Sequence, residues 1–320
     1  MIRPLVFLPL ISVVIVSGCI IPGWGGDTTT GESNVIVIES LSAIPSTIQT
    51  QQSVKLVAIL KNQGQEKVPQ TNRGVTGAIE ANLYNYCPGL FKLPSEESGI
   101  VCSGGSKEQS SEGGYDICKL ESLTVNEKRQ VEWTLEQSPE TLVEASCDME
   151  MSVRYPYKTT GLTTIHMINS DELQRQITEG TYQDKGSSIT KGEGPVKVWF
   201  EVSDSQPVSV PHAGEGQMTL ELNIKNTGSG RLVGNKATIT DISLASIEGE
   251  DKITLQSCDE VSEGSEITLI QGSYTKICPA NIDSAITNFP KESTVHVTVT
   301  IEYAYEVDKS VKVTVEPMIS

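Results

Sequence analysis

Histidine is nearly missing from this chain of 320 residues, which carries only three. That scarcity leaves little imidazole for metal sites or acid–base catalysis. Aromatic side chains are also few, at 5%, so any core must be built mainly from aliphatic residues. Positive charge is short: 24 Lys and Arg stand against 41 Asp and Glu, a formal charge of −17. Such a surface repels a phosphate backbone and excludes nucleic acid as a partner. No Gly-x-Ser-x-Gly elbow, His-Glu-x-x-His helix or Gly-x-x-x-x-Gly-Lys-Ser/Thr loop occurs. Gly192-Glu193-Gly194 lacks the strand before and helix after it that a phosphate cradle needs. His212 sits near Glu215 in a turn with no activated nucleophile beside it, His296 falls on the polar side of an alternating run, and the acidic turn Ile247–Asp251 lacks the spacing of a calcium loop. No catalytic, cofactor-binding or metal-ligating residue is expected, and the chain reads as a non-enzyme.

What is present begins at the N-terminus. After Met1, Ile2 and the single charge of Arg3, residues Pro4 to Ile21 are uncharged and largely apolar, the layout of an export signal. The run closes on Val16-Ser17-Gly18-Cys19, which resembles the lipobox of prokaryotic surface lipoproteins. The resemblance implies cleavage before Cys19 and lipid attachment to its sulfur. The alternative is an uncleaved membrane helix, since the run approaches the roughly 20 residues that cross a bilayer. Either way the membrane is a partner, and the remainder lies on the extracellular face. Residues 1–18 are thus a signal or membrane segment, and 19–33, rich in Gly and Thr, a flexible tether.

The other six cysteines suit an oxidising compartment. With bridges confined to each half of the chain, Cys258 pairs with Cys278, while Cys87, Cys102, Cys118 and Cys147 allow three connectivities that the sequence leaves open. No Cys-x-x-Cys spacing supports zinc.

Period-two alternation dominates the rest. Met218, Leu220, Leu222 and Ile224 alternate with polar residues, as do Val295, Val297, Val299, Ile301, Tyr303 and Tyr305. Cys147, Met149, Met151, Val153, Tyr155 and Tyr157 repeat the latter run 148 positions earlier without a gap. Leu60-Lys61-Asn62-Gln63-Gly64 echoes Ile224-Lys225-Asn226-Thr227-Gly228, a turn expected to use positive φ at Asn and Gly. These are the marks of a duplicated domain. Val311, Val313 and Val315 after Asp308-Lys309-Ser310 predict a C-terminal hairpin. The Lys-Asn-x-Gly turn with a late strand of Val and Tyr is similar to immunoglobulin-like domains of prokaryotic surface proteins, including the cell-adhesion-related family CARDB. The expected fold class is therefore all-β, two tandem immunoglobulin-like β-sandwiches at 34–161 and 196–317 behind the anchor. Between them, 162–195 is expected as a linker carrying a short helix from Ser170 to Gly180, flexible enough to let the sandwiches change angle.

Trp133 and the paired tyrosines continue the apolar register and read as core; Trp24 and Tyr115 are the aromatics expected in wet segments. The Gly- and Ser-rich insertion between Cys87 and Cys118 is the candidate recognition loop, because loops held by a rigid scaffold carry function more often than the scaffold. The expected function is a non-catalytic, membrane-tethered protein mediating protein interaction or adhesion at the cell surface, its partner another surface protein or itself. The alternatives are a subunit of a surface filament or envelope layer, with Val311–Val315 as the pairing edge, and a carbohydrate or small-ligand binding module.

Overall fold

Period-two alternation over much of residues 145–169 and again of 292–316 goes with two strands of 25 residues each, and these two organise everything else. The computed structural model describes residues 34–109, 114–136, 144–204, 206–211, 216–245, 253–255, 258, 261–282 and 291–317. The signal segment, the tether, Cys19, Trp24, His212, Glu215 and the acidic turn Ile247–Asp251 lie outside the described residues.

The first half of the chain forms β1 (Ile36–Ile44), β2 (Thr47–Gln49), β3 (Val54–Asn62), β4 (Ile79–Asn85), β5 (Ile100–Cys102), β6 (Gly105–Gln109), β7 (Tyr115–Leu120), β8 (Lys128–Leu135) and the long β9 (Ala145–Asn169). After α1 (Ser170–Glu179) and β10 (Ser188–Thr190), the second half forms β11 (Val196–Val202), β12 (Val208–Val210), β13 (Gly216–Asn226), β14 (Arg231–Leu232), β15 (Lys236–Ala245), β16 (Ile253–Leu255), β17 (Glu266–Thr268), β18 (Ser273–Ile282) and the long β19 (Glu292–Glu316). The fold is all-β, built as two sandwiches of antiparallel sheets. One four-stranded sheet has the order β1-β3-β8-β5, and its counterpart β11-β13-β18-β16. Both pack on a single large sheet whose main path is β17-β15-β19-β9-β4-β7-β6.

That path is nearly a palindrome, and the register explains why. β19 pairs with β9 antiparallel and without a bulge from Glu292↔Ile168 to Val315↔Ala145. Pro156 faces Ala304, its own counterpart at the 148-residue repeat offset, so an approximate two-fold axis passes through this pair. Tyr155 then meets Tyr305, and Tyr157 meets Tyr303, with ring centroids 5.8 and 6.2 Å apart. The short parallel additions obey the same symmetry, β2 beside the end of β19 and β12 beside the end of β9.

In both long strands the odd-numbered residues turn inward. Met149, Val153, Tyr157 and Ile165 are buried on β9, as are Val295, Val299, Tyr303 and Val315 on β19. Both four-stranded sheets therefore cover the same face, and the even-numbered face stays open to solvent. The buried residues form one continuous apolar cluster from Val35 to Val315, and the described residues belong to one compact unit. Burying each such Val, Leu or Ile contributes about 1.5–3 kcal/mol relative to exposure.

Three expectations are corrected here. The stretch 162–195 is not a flexible linker, because 162–169 continues β9 and Ser188–Thr190 pairs back onto Thr164–Leu162. The two sandwiches share a sheet and cannot hinge about that segment. No C-terminal hairpin forms, since Asp308, Lys309 and Ser310 keep the strand's parity. Lys309 falls on the inward side, where its ammonium donates to the carbonyls of Ile38 and Glu39 at 2.9 and 3.0 Å. The Lys-Asn-x-Gly turns do not use positive φ at Asn62, Gly64, Asn226 or Gly228. Instead Asn62 Oδ1 accepts from Gly64 N at 2.9 Å and Asn226 Oδ1 from Gly228 N at 3.1 Å, while each Nδ2 reaches a carbonyl four residues on. Glycine is needed for space: a Cβ on Gly64 would lie 2.5 Å from Val35 Cγ1, and one on Gly228 2.4 Å from the Tyr305 hydroxyl.

The helix forms where expected, with Asn169 rather than Ser170 as its cap: Asn169 Oδ1 accepts from Asp171 N at 2.9 Å, and Gly180 ends it at φ 66°. Among the described residues no helix is long and apolar enough to cross a membrane.

Candidate functional site

Symmetry separates what the fold needs from what has been added to it. The four-stranded sheets, the long strands and the Asn turns occur twice; among the described residues, β6 and the segment leading to it have no counterpart in the second half. This unpaired elaboration lies between Cys87 and Cys118, the stretch singled out as a recognition loop.

Two disulfides hold it. Cys87 joins Cys147 at the start of β9, with Cα atoms 6.4 Å apart, and Cys102 on β5 joins Cys118 on β7 at 5.6 Å. The first ties the entrance of the segment to the central ribbon, and the second ties the upper sheet to the lower. Of the three possible connectivities, this is the one the chain adopts. In the second half Cys258 is bonded to Cys278, Cα atoms 5.2 Å apart. A close approach makes Gly105 necessary beneath the Cys102 bridge, where a Cβ would lie 2.3 Å from the Lys119 carbonyl oxygen and 2.7 Å from Cys102 Sγ.

Local hydrogen bonds shape the segment. Leu90 N and Phe91 N both donate to Cys87 O, at 2.8 and 3.0 Å, forming a tight turn that drives Phe91 into the core at 1% exposure. Glu136, at the end of β8, then clamps the returning chain: its N–H donates to Lys92 O at 2.9 Å, and its carboxylate accepts from Ser95 N at 2.9 Å and Ser95 Oγ at 2.6 Å. The Ser95 hydroxyl and amide hold the Glu136 carboxyl below its ordinary range. Between these anchors lies a recess of about 290 Å³ with Tyr86, Pro88, Phe91, Leu93, Ser95 and Glu136 in its walls. Its floor is apolar and its rim polar, the composition of a docking recess. Tyr84, 48% exposed, lies on the adjoining strand β4, and Val101, 46% exposed, on β5.

Elsewhere the candidates separate. His296 is exposed, its Nδ1 3.1 Å from Thr164 Oγ1, and His166 pairs similarly with Thr294 at 3.4 Å. Among the described residues no group of three or more His, Cys, Asp or Glu side chains is placed to hold a metal ion. The four tyrosines at the axis are core groups: Tyr155 accepts from Val35 N at 3.3 Å and Tyr303 from Val196 N at 3.4 Å, equivalent bonds in the two copies. Trp133 is fully buried and donates to Asp116 O at 3.1 Å. Sequence reasoning missed Trp199, which alternates out of phase with Val198 and Phe200 and so faces outward, with the Lys191 ammonium 4.6 Å above its ring. Its phase within β11 was the available signal.

No family model matches the chain, and no curated protein matches it. Among solved structures, the Enterococcus faecalis MSCRAMM ACE, described as binding its ligands by the collagen Hug Model, superposes with a TM-score of 0.24 and 7% identity, over 90% of this chain and 97% of that one. The Yersinia pseudotuberculosis adhesin InvE superposes with a TM-score of 0.15 and 11% identity, over 86% of this chain and 58% of that one. Superpositions this loose carry no information about ligand or activity, and the site stands on its own geometry.

Proposed function

We propose that the chain is a non-catalytic, membrane-tethered protein that mediates protein interaction or adhesion at the cell surface, held to the membrane through lipidated Cys19 or an uncleaved N-terminal helix. The observation that supports this is the asymmetry of the molecule. The four-stranded sheets and the long strands occur twice, while the disulfide-held segment around β6 has no counterpart among the described residues, and that segment lines the recess of Tyr86, Phe91 and Leu93. A rigid ribbon gives the recess a fixed direction, and the bridges remove the entropy that a loose loop loses on binding.

The test is site-specific photo-crosslinking on intact cells from Lys92, at the rim, and from Thr298, on the open face of the ribbon. A partner captured from Lys92 and not from Thr298 supports the reading. Equal capture from both positions, or none from Lys92, removes it. For assembly into a filament through Val311–Val315, that stretch already pairs with Met149–Ala145 on one side, and Thr314 and Val315 pair with Thr47 and Ile48 on the other, which leaves only part of it as a free edge.

A further inference from the structure

A second recess lies at the opposite end of the ribbon, where β9 ends, β19 begins and the excursion through α1 returns. It has a volume of about 430 Å³, inside the range of about 300–1,000 Å³ typical of ligand clefts. Its floor is formed by Met167, Ile168 and Pro207, all buried. His166 and Thr294 face each other across the two long strands at one side. Gln176 from α1, and Gln183 and Lys185 from the segment after it, close the other side above Glu292.

The electrostatics narrow what fits. Lys185 Nζ is paired with the Glu292 carboxylate, which also accepts from Gln176 Nε2 at 2.8 Å. Lys185 first and Gln176 second hold the Glu292 carboxyl below its ordinary range. The cation and the carboxylate cancel, so neither a phosphate nor a metal ion finds an uncompensated counter-charge. A purely apolar ligand would strip water from the amides without replacing their hydrogen bonds. A neutral polyol matches both surfaces, with hydroxyls that donate and accept against the amides, imidazole and Thr294, and a C–H face for the apolar floor. Outside the cavity, the Tyr182 hydroxyl donates to the carbonyl of Gln206, the residue before Pro207, at 3.2 Å and ties the segment after α1 to this floor.

We infer that this cavity binds a saccharide unit. It is separate from the disulfide-held recess: from the pair Cys147↔Val313 to His166↔Thr294, at about 3.3 Å per residue, the ribbon runs roughly 60 Å. The molecule thus has a glycan-binding end and a protein-binding end.

The experiment is calorimetric titration of the full-length chain in phospholipid nanodiscs, free of glycoside detergent, with chitotriose, maltotriose, mannotriose and galactotriose. Saturable binding of at least one is expected, with Kd raised about tenfold by Gln183→Ala and by His166→Ala, the loss of one hydrogen bond to the ligand. Both variants keep the wild-type melting temperature, and Lys92→Ala keeps the wild-type Kd. Failure of all four sugars to bind, a Kd left unchanged by Gln183→Ala and His166→Ala combined, or a Kd that responds to Lys92→Ala overturns the inference.

Discussion

Gly161 is the point at which the second upper sheet rests on the ribbon: a Cβ there would stand 1.8 Å from the Val198 carbonyl oxygen. Its counterpart at the repeat offset, Lys309, solves the same contact differently, by donating to the carbonyls of β1. Gly161→Ala is therefore expected to lower stability by about 1–3 kcal/mol, the cost of overpacking, in urea denaturation. Gly186→Ala, with open space around its Cβ, serves as the control and leaves the midpoint unchanged. Glu172 gives a residue-scale pH effect. Hydrogen bonds from Arg175 and then Gln176 hold its carboxyl at about 2, against an ordinary 4.5. A depressed carboxyl pKa adds stability above its unfolded value, and that stability is lost as pH falls through the folded one. Helix α1 should accordingly weaken between pH 4.5 and about 2, followed by NMR of the Glu179 and Gly180 amides, and Glu172→Gln should flatten the profile.

Among the elements, β19 is where sequence pattern and structure part most clearly. Asp308-Lys309-Ser310 interrupts the apolar side of the pattern and so resembles a turn, yet the parity of Val307 and Val311 is conserved across it. Only the presence of β9 as a continuous partner shows that the chain stays extended. Deleting residues 309–320 removes the partners of Met149 and Met151 and strips β2 of its neighbour. The expected result is loss of the cooperative β-sheet signal in circular dichroism. A folded, soluble truncation would mean that this stretch is dispensable to the sheet. The disulfide-held segment was legible in outline, as an insertion rich in Gly and Ser between cysteines. The recess was not, because it depends on Glu136 reaching Ser95 and on Phe91 turning inward at Cys87, contacts that no spacing encodes. Replacing Cys87 and Cys147 together by Ser is expected to cost about 2–4 kcal/mol and to abolish the cross-link from Lys92.

For the whole molecule, sharing one sheet replaces two independent sandwiches by a single cooperative body. Calorimetry should show one unfolding transition with equal van't Hoff and calorimetric enthalpies; two resolved transitions would mean that the halves melt separately. The axis adds an alkaline signature. Burial raises the phenols of Tyr157 and Tyr305 to about 12, and raises those of Tyr155 and Tyr303 well above their ordinary value. The folded state then retains protons that the unfolded state loses above pH 10, so stability should fall from pH 10 upward while remaining level below it, readable in denaturation curves monitored by tyrosine absorbance.

The sequence by itself determined the all-β class, the duplication, the tyrosine core and the inward face of the strands whose alternation it displays, because alternation is local and a period of two admits one reading wherever one face is buried. The 148-residue offset even contains the axis, once it is known that the two copies pair antiparallel. That pairing was decided only by the tertiary structure. Period-two residues look alike whether a strand is covered by its own sandwich or joined to the other one, and joining the edges of β9 and β19 satisfies backbone hydrogen bonds that two separate domains would have left open.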